Sequence, residues 1–222
     1  MLEVRLDRNI GTGRKLRNAL LPLEGEGIVN WTGRPLDDAT GPVLNAHSKT
    51  DKLYQLLLLR DSGVRVPPFF ILGEATPPDW GPSWLPRTRL HQQGRDFTSP
   101  IIPDFWVKKL PLEDEWRLHF FRTKKGNLRL LRSGIKLPKT LKAHPWVKAH
   151  RLGWKIAYTG GAPFLLVEQA REAMQALDLD FGAVDIALTP RLEAVILEVN
   201  TCPGLDTGTL GLYVSAIKDR LT

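Results

Sequence analysis

Asp185, Glu198 and Asn200, near the end of the chain, are the residues whose types and spacing could do chemistry. The segment 193–199, EAVILEV, is apolar and β-branched enough to predict a strand. On a strand, Glu198 and Asn200 are two apart and point to one face. A second predicted strand, AVDIALT over 183–189, precedes it across a tight connection of Pro190, Arg191 and Leu192. A hairpin centred between Arg191 and Leu192 sets Asp185 opposite Glu198. Two carboxylates and an amide oxygen converging on one spot suit a hard divalent cation that keeps waters and shares phosphate oxygens, namely Mg²⁺. The alternative is a solvent-facing sheet surface on which the same side chains are merely hydrated.

A second pattern is EWRLHFF. Glu115, Arg117 and His119 alternate with Trp116, Leu118 and Phe120, so a strand there shows a polar row on one face and an apolar row on the other. Around it the charge is uneven. The chain of 222 residues carries a net +7. Between Arg117 and Lys155 there are twelve Lys or Arg and no Asp or Glu, so the remainder carries −5, the +7 less these twelve. A basic block on a mildly acidic chain points to an anionic ligand on one face or to a solvated basic surface.

Several elements must position these residues. Leu2–Leu6 and Gly27–Trp31 read as strands flanking a helix near 15–20. The stretch 50–62 has helical spacing, with Thr50 or Asp51 to cap it and Gly63 to end it, and VRVPPFFIL follows as a strand entry. Residues 74–104 are rich in Pro, Gly and Trp and read as loop with short strands. Strands are predicted over 105–110, 116–122 and 127–131, the last two joined by the turn TKKGN. The amphipathic stretch 167–178 places Val167, Ala170, Met174 and Leu177 on one helical face, and a last helix is predicted from Thr209 to Leu221. Strands and helices mix without strict alternation, which predicts an α+β fold with largely antiparallel sheets.

Composition sets the outer limits. Apolar residues make up 42% of the chain, enough for a packed core. The single Cys202 excludes an internal disulfide and a cysteine-based zinc site, and the histidines lack zinc-ligand spacing. The first residues, MLEVRLDRNIGTGRKLRNALL, are charged throughout with no apolar h-region, so no signal peptide is expected. No run approaches the roughly 18 apolar residues of a membrane span. A soluble cytoplasmic protein with no membrane partner is the expectation. GTGRK at 11–15 reads as a turn entering a helix, with anion binding at the helix start as the alternative.

The segment LEVNTCPGLDTGTL, with FGAVDIAL before it, resembles the active-site segment of ATP-grasp ligases, above all the D-alanine–D-alanine ligase branch. DKLYQLLLLRDSGVRVPPFF is similar to that family's D-K helix and the strand after it. The match covers most of residues 46–222, and the whole is most similar to small phage-encoded ATP-grasp proteins. The resemblance implies two α+β lobes with the nucleotide between them. Residues 1–45 would form a reduced N-terminal domain, 46–104 the small lobe and 105–222 the large lobe with the metal site.

The resemblance also implies residue roles. Asp185, Glu198 and Asn200 would hold two Mg²⁺ ions bridging the phosphates of ATP. Lys52 would contact a phosphate. Arg89 falls where the family has a phosphate-binding lysine before a glycine-rich flap. The flap here has only Gly94, which shifts the work onto Arg87, Arg89 or Arg95. Lys108 would lie near the adenine, Glu115 would accept the ribose hydroxyls, and Arg117 would face the active site. The family's arginine two residues before the metal aspartate is Ala183 here, so Lys136, Lys148 or Arg151 must supply that charge. Asp206, Thr207 and Thr209 sit where the family binds its carboxylate substrate, and acidic Asp206 is suited to an amine. The implied reaction joins a small-molecule or peptide carboxylate to an amine through an acyl-phosphate. Two rival readings are an ATP-grasp kinase and a nucleic-acid-binding protein that uses the block 117–155. Against the second, the block has scattered aromatics and no known DNA-binding pattern. The substrates and the oligomeric state are not written in the sequence.

Overall fold

Strand β1 (Leu2–Leu6) leads into helix α1 (Gly11–Leu20), and β2 (Gly27–Trp31) and β3 (Val43–Leu44) complete a three-stranded parallel sheet in the order β1-β2-β3. The structure is a computed structural model that describes residues 2–6, 11–22, 24–32, 34–37, 39–47, 51–71, 73, 83–89 and 102–221. Thr50, Gly94 and Arg95 lie outside the described residues. The GTGRK segment forms the opening turns of α1. Gly13 leaves room there for the end of the Leu6 side chain, which a Cβ would displace.

Helix α2 (Lys52–Asp61) begins where expected. Asp51 caps it by accepting the Tyr54 N–H at 3.0 Å. Gly63, at φ 77°, ends it in the left-handed region that glycine tolerates best. Strands β4 (Phe69–Ile71), β5 (Trp84–Arg87) and β6 (Phe105–Lys108) form an antiparallel sheet in the order β4-β6-β5. Leu53 and Leu56 of α2 pack with Phe105 and Val107 of β6.

The largest sheet is antiparallel, in the order β11-β10-β7-β8-β9. Its strands are β7 (Glu115–Arg122), β8 (Leu128–Pro138), β9 (Trp154–Thr159), β10 (Phe181–Leu188) and β11 (Ala194–Asn200). The TKKGN turn joins β7 to β8, with Gly126 at φ 84°. Strand β8 runs seven residues past the predicted 127–131, and β9 was not predicted. Helix α3 (Phe164–Ala176) buries Leu166, Ala170, Ala173 and Met174 against one face of the sheet, beside Trp116, Leu118 and Phe120 of β7. Its inward face is thus rotated slightly from the expected Val167, Ala170, Met174 and Leu177. A side chain such as Leu166, fully buried, contributes about 1.5–3 kcal/mol.

The opposite face carries the polar row of β7 and, at one end, an aromatic cluster of Trp31, Phe121, Phe181 and Tyr213 shared with helix α4 (Thr207–Leu221) and the parallel sheet. Asn45 joins that sheet to the largest one. Its side chain accepts the N–H groups of Asp180 and Phe181 at 2.7 and 3.0 Å and donates to the Phe181 carbonyl at 2.8 Å. The α+β class with mostly antiparallel sheets is as the sequence predicts; the N-terminal sheet is the parallel exception. Among the described residues, no helix is long and apolar enough to cross a membrane.

Candidate active site

Strand register builds the site. Across the large sheet, Asp185 pairs with Glu198 on one side and Arg117 on the other, and Arg117 pairs in turn with Gly134 and Gly134 with Tyr158. The next row is Asn200, Ala183, His119 and Arg132. Residues two apart on a strand share a face, so Glu115 and Lys136 join the same surface. The Asp185–Glu198 pairing is the one the sequence predicts. A bulge between Asp185 and Ile186 then shifts the register so that Ile186 pairs with Ile196. Leu197 is the extra residue, a feature common beside active sites.

Asp185 is 5% exposed, and its charge is matched by cations. Arg117 donates from Nε and Nη2 to its two oxygens, each at 2.7 Å, and Lys136 Nζ donates to Oδ2 at 2.9 Å. Lys136 also pairs with Glu115, itself 6% exposed. Burial alone would raise the Asp185 carboxyl, but Arg117 and Lys136 outweigh it and hold it below the usual carboxylate range. Burial would lower Lys136, but Asp185 and Glu115 hold it raised. The polar row of EWRLHFF is therefore an interior ion network and not a hydrated face. Both oxygens of Asp185, expected as a metal ligand, are engaged by these cations.

On the neighbouring strand β11, Glu198 lies 4.0 Å from Lys52 Nζ and 3.6 Å from Arg87 Nη2. Lys52 is 6% exposed, although it opens a helix. These three residues mark the polar side of a cavity whose apolar lining includes Leu56, Phe105, Val107 and Leu197. Three cations, Lys52, Arg87 and Arg117, thus surround Glu198 and Asp185 even before Glu115 and Lys136 are considered, a setting suited to polyanionic phosphate. Asn200 stands on the same face as Glu198, with its Nδ2 buried and unpartnered among the described residues. Among the described residues, no three His, Cys, Asp or Glu gather closely enough to hold a metal by themselves.

Other expected residues lie elsewhere. Arg89 does not line the cavity and clamps Asp51 at 2.6 Å, beside the capped start of α2. Lys108 falls on the opposite face of β6 from Phe105 and Val107, 5.7 Å over the Trp84 ring. Lys148 stands 5.1 Å over Trp154, and Arg151 is exposed on a one-turn 3₁₀ helix at His150–Leu152; the ion partners of Asp185 are Arg117 and Lys136. Asp206 caps α4, accepting the Thr209 N–H at 2.7 Å, and pairs with Arg132 at 2.8 Å. Thr209 is buried, with its hydroxyl accepting from Arg132 at 2.8 Å, while Thr207 is exposed.

Sequence reasoning missed Arg132, Tyr158 and the partners of His119. The alternation of Arg132, Gly134 and Lys136 is a period-2 signal that would have placed all three on one face. His119 is fully buried; Tyr213 donates its hydroxyl proton to the Gly182 carbonyl at 3.0 Å, so Nδ1 of His119, 3.2 Å from that hydroxyl, carries the ring proton. Burial first, then the charge of Arg117, pushes the His119 pKa down to about 3.

No protein-family model and no curated protein matches the sequence. Solved structures do match in three dimensions. Carboxyaminoimidazole ribonucleotide synthase from Aspergillus clavatus, complexed with ATP, is 13% identical with a TM-score of 0.65, over 100% of this chain and 77% of that one. The ATP-grasp ligase PsnB, complexed with a phosphomimetic variant of minimal precursor, Mg and ADP, is 12% identical with a TM-score of 0.59, over 99% and 98%. N5-carboxyaminoimidazole ribonucleotide synthetase from Thermotoga maritima is 14% identical with a TM-score of 0.50, over 78% of this chain and 50% of that one. The chain therefore spans half the length of the Thermotoga enzyme. At such identities the likeness is one of fold.

Proposed function

We propose that this chain, whose fold is that of the ATP-grasp ligases, uses ATP to join a carboxylate to an amine and releases ADP and phosphate. The observation that carries the reading is the meeting of Lys52 and Arg87 with Glu198 at the polar side of an otherwise largely apolar cavity. The base of ATP takes the apolar part against Leu56, Phe105, Val107 and Leu197. Its phosphates extend toward Lys52 and Arg87, so Arg87, not Arg89, is the phosphate-binding arginine. Glu115, at the start of β7, takes the ribose hydroxyls with the oxygen that Lys136 leaves free.

Glu198 and Asn200, oxygen donors on one face, would hold a hard divalent cation such as Mg²⁺, and Asp185 would join them by yielding one oxygen from its cation pairs. The ion would neutralise phosphate charge there. In the first step, a substrate carboxylate oxygen bonds to the γ-phosphorus, and the bond to the β,γ-bridging oxygen breaks to release ADP. In the second, the amine nitrogen bonds to the acyl carbon, the carbon–oxygen bond to phosphate breaks, and the nitrogen loses a proton. Lys52 and Arg87 hold charge on the leaving ADP and the transferred group; Arg117 and Lys136 fix the carboxylates around them. A closed cleft keeps water from the activated acyl group.

The test is ADP and phosphate release by the wild type and by Glu198→Gln. Amine-dependent release of both products, reduced about a hundredfold or more in the folded variant, is the expected result. Undiminished release by the variant would contradict the site. Phosphate retained on a product would convert the reading to a kinase.

A further inference from the structure

Resting on the ligase reading, we infer that Arg132 is a specificity-determining residue that binds a carboxylate on the amine substrate. That substrate is therefore an amino acid or a peptide with a free carboxylate near its amine.

The cations of this face differ in what they have left to give. Both Nε and Nη2 of Arg117 are spent on Asp185, and Lys136 is shared between Glu115 and Asp185. Arg132 uses Nη1 alone, for Asp206 and Thr209 at 2.8 Å each. Among the described residues, its Nε and Nη2 have no acceptor, and the side chain is 27% exposed. One edge of a guanidinium with two parallel N–H donors matches the two oxygens of a carboxylate.

That edge is held in place. The guanidinium carbon lies 3.7 Å from the centre of the Tyr158 ring, close enough for stacking. The ring in turn lies where Gly134 leaves space, since a Cβ there would meet Tyr158 Cδ1 at 2.9 Å. Gly208 leaves space on another side, because its Cβ would meet Arg132 Nη1 at 2.8 Å. His119, next to Arg132 in the same cross-strand row, keeps a buried Nε2 with no partner among the described residues, and it is neutral, so it adds no competing charge.

Position separates this edge from the phosphates. Tyr158 is three strands from Asp185 in one row, roughly 14 Å at about 4.8 Å per strand. Arg132 therefore meets a second anionic group and not the phosphates that Lys52 and Arg87 face. Ala183 lies two strands away in the Arg132 row. The pairing with Arg132 changes what Asp206 can do. With its carboxylate given to Arg132 and to the Thr209 N–H, Asp206 orients the arginine instead of receiving an ammonium.

The experiment measures ADP release with the common amino acids as acid partners and, as amine partners, each amino acid beside its α-carboxamide. Calorimetric ATP binding is measured alongside. The expected result is turnover with free amino acids and at least about tenfold lower kcat/KM with the matched carboxamides. Arg132→Gln should raise KM for the amino acid about ten- to a hundredfold, leave ATP binding unchanged and erase the preference. Arg132→Lys should recover only part, and Gly208→Ala should also raise KM by displacing the guanidinium. Equal use of carboxamides, an unchanged KM in Arg132→Gln, or no turnover with any amino acid while ATP binds would each overturn the inference. Failure of the ligase reading looks different: the wild type then binds no ATP, or releases ADP without any amine.

Discussion

Arg117 and Asp185 face each other across β7 and β10 and are joined by two N–H···O bonds of 2.7 Å, Nε to Oδ1 and Nη2 to Oδ2. With Lys136 at 2.9 Å from the same carboxylate, this is a three-membered ion cluster inside the protein. A buried charge without its partner costs far more than an exposed one.

Asp185→Asn should therefore destabilise the fold by about 3–5 kcal/mol, because two buried cations lose their shared anion. Urea unfolding checks this. A loss below about 1 kcal/mol would mean that the cluster does not hold the sheet face together.

Acid should destabilise the protein in two stages of the same sign. His119 has a folded pKa of about 3 against an ordinary 6.5, so its contribution is complete above 6.5 and is lost as pH falls toward 3. Asp185 is held below its ordinary 3.8, so its contribution is complete above that value and is lost further into acid. Unfolding free energy should decline from about pH 6.5 downward, and His119→Gln should flatten the upper stage. Constant wild-type stability between pH 6.5 and 4 would contradict the buried neutral histidine.

Lys52 lines the cavity, whereas Arg89 pairs with Asp51 at the cap of α2. Lys52→Met should raise the ATP dissociation constant about ten- to a hundredfold, the loss of a charge-assisted contact worth roughly 1.5–3 kcal/mol. Arg89→Ala should leave it within about twofold and change stability by roughly 0.5 kcal/mol, because its pair with Asp51 is half exposed. Calorimetry on both variants decides it, and the reverse order would restore Arg89 as the phosphate contact.

What could be read in the sequence follows from the distance over which each feature is specified. The Asp185–Glu198 pairing was legible because a tight hairpin fixes register locally, and the face of Glu115, Arg117 and His119 because strand alternation does. The Leu197 bulge was not legible, since alternation gives no sign of one inserted residue. The cation partners of Asp185 arrive from β7 and β8, and Arg132 meets Asp206 across 74 positions of sequence, contacts that only the sheet order creates. Arg87 and Arg89 share one strand parity, so spacing alone could not choose between them. The strand ends at Arg87, which lines the cavity, and Arg89 pairs with Asp51 instead.

The most direct measurement is a crystal structure with Mg²⁺ and a non-hydrolysable ATP analogue. We expect the base against Leu56, Phe105, Val107 and Leu197, with phosphate oxygens in hydrogen-bond reach of Lys52 and Arg87 and the ion on Glu198 and Asn200. A nucleotide bound away from these residues, or none bound at saturating concentration, would contradict the assignment of this cleft as the ATP site.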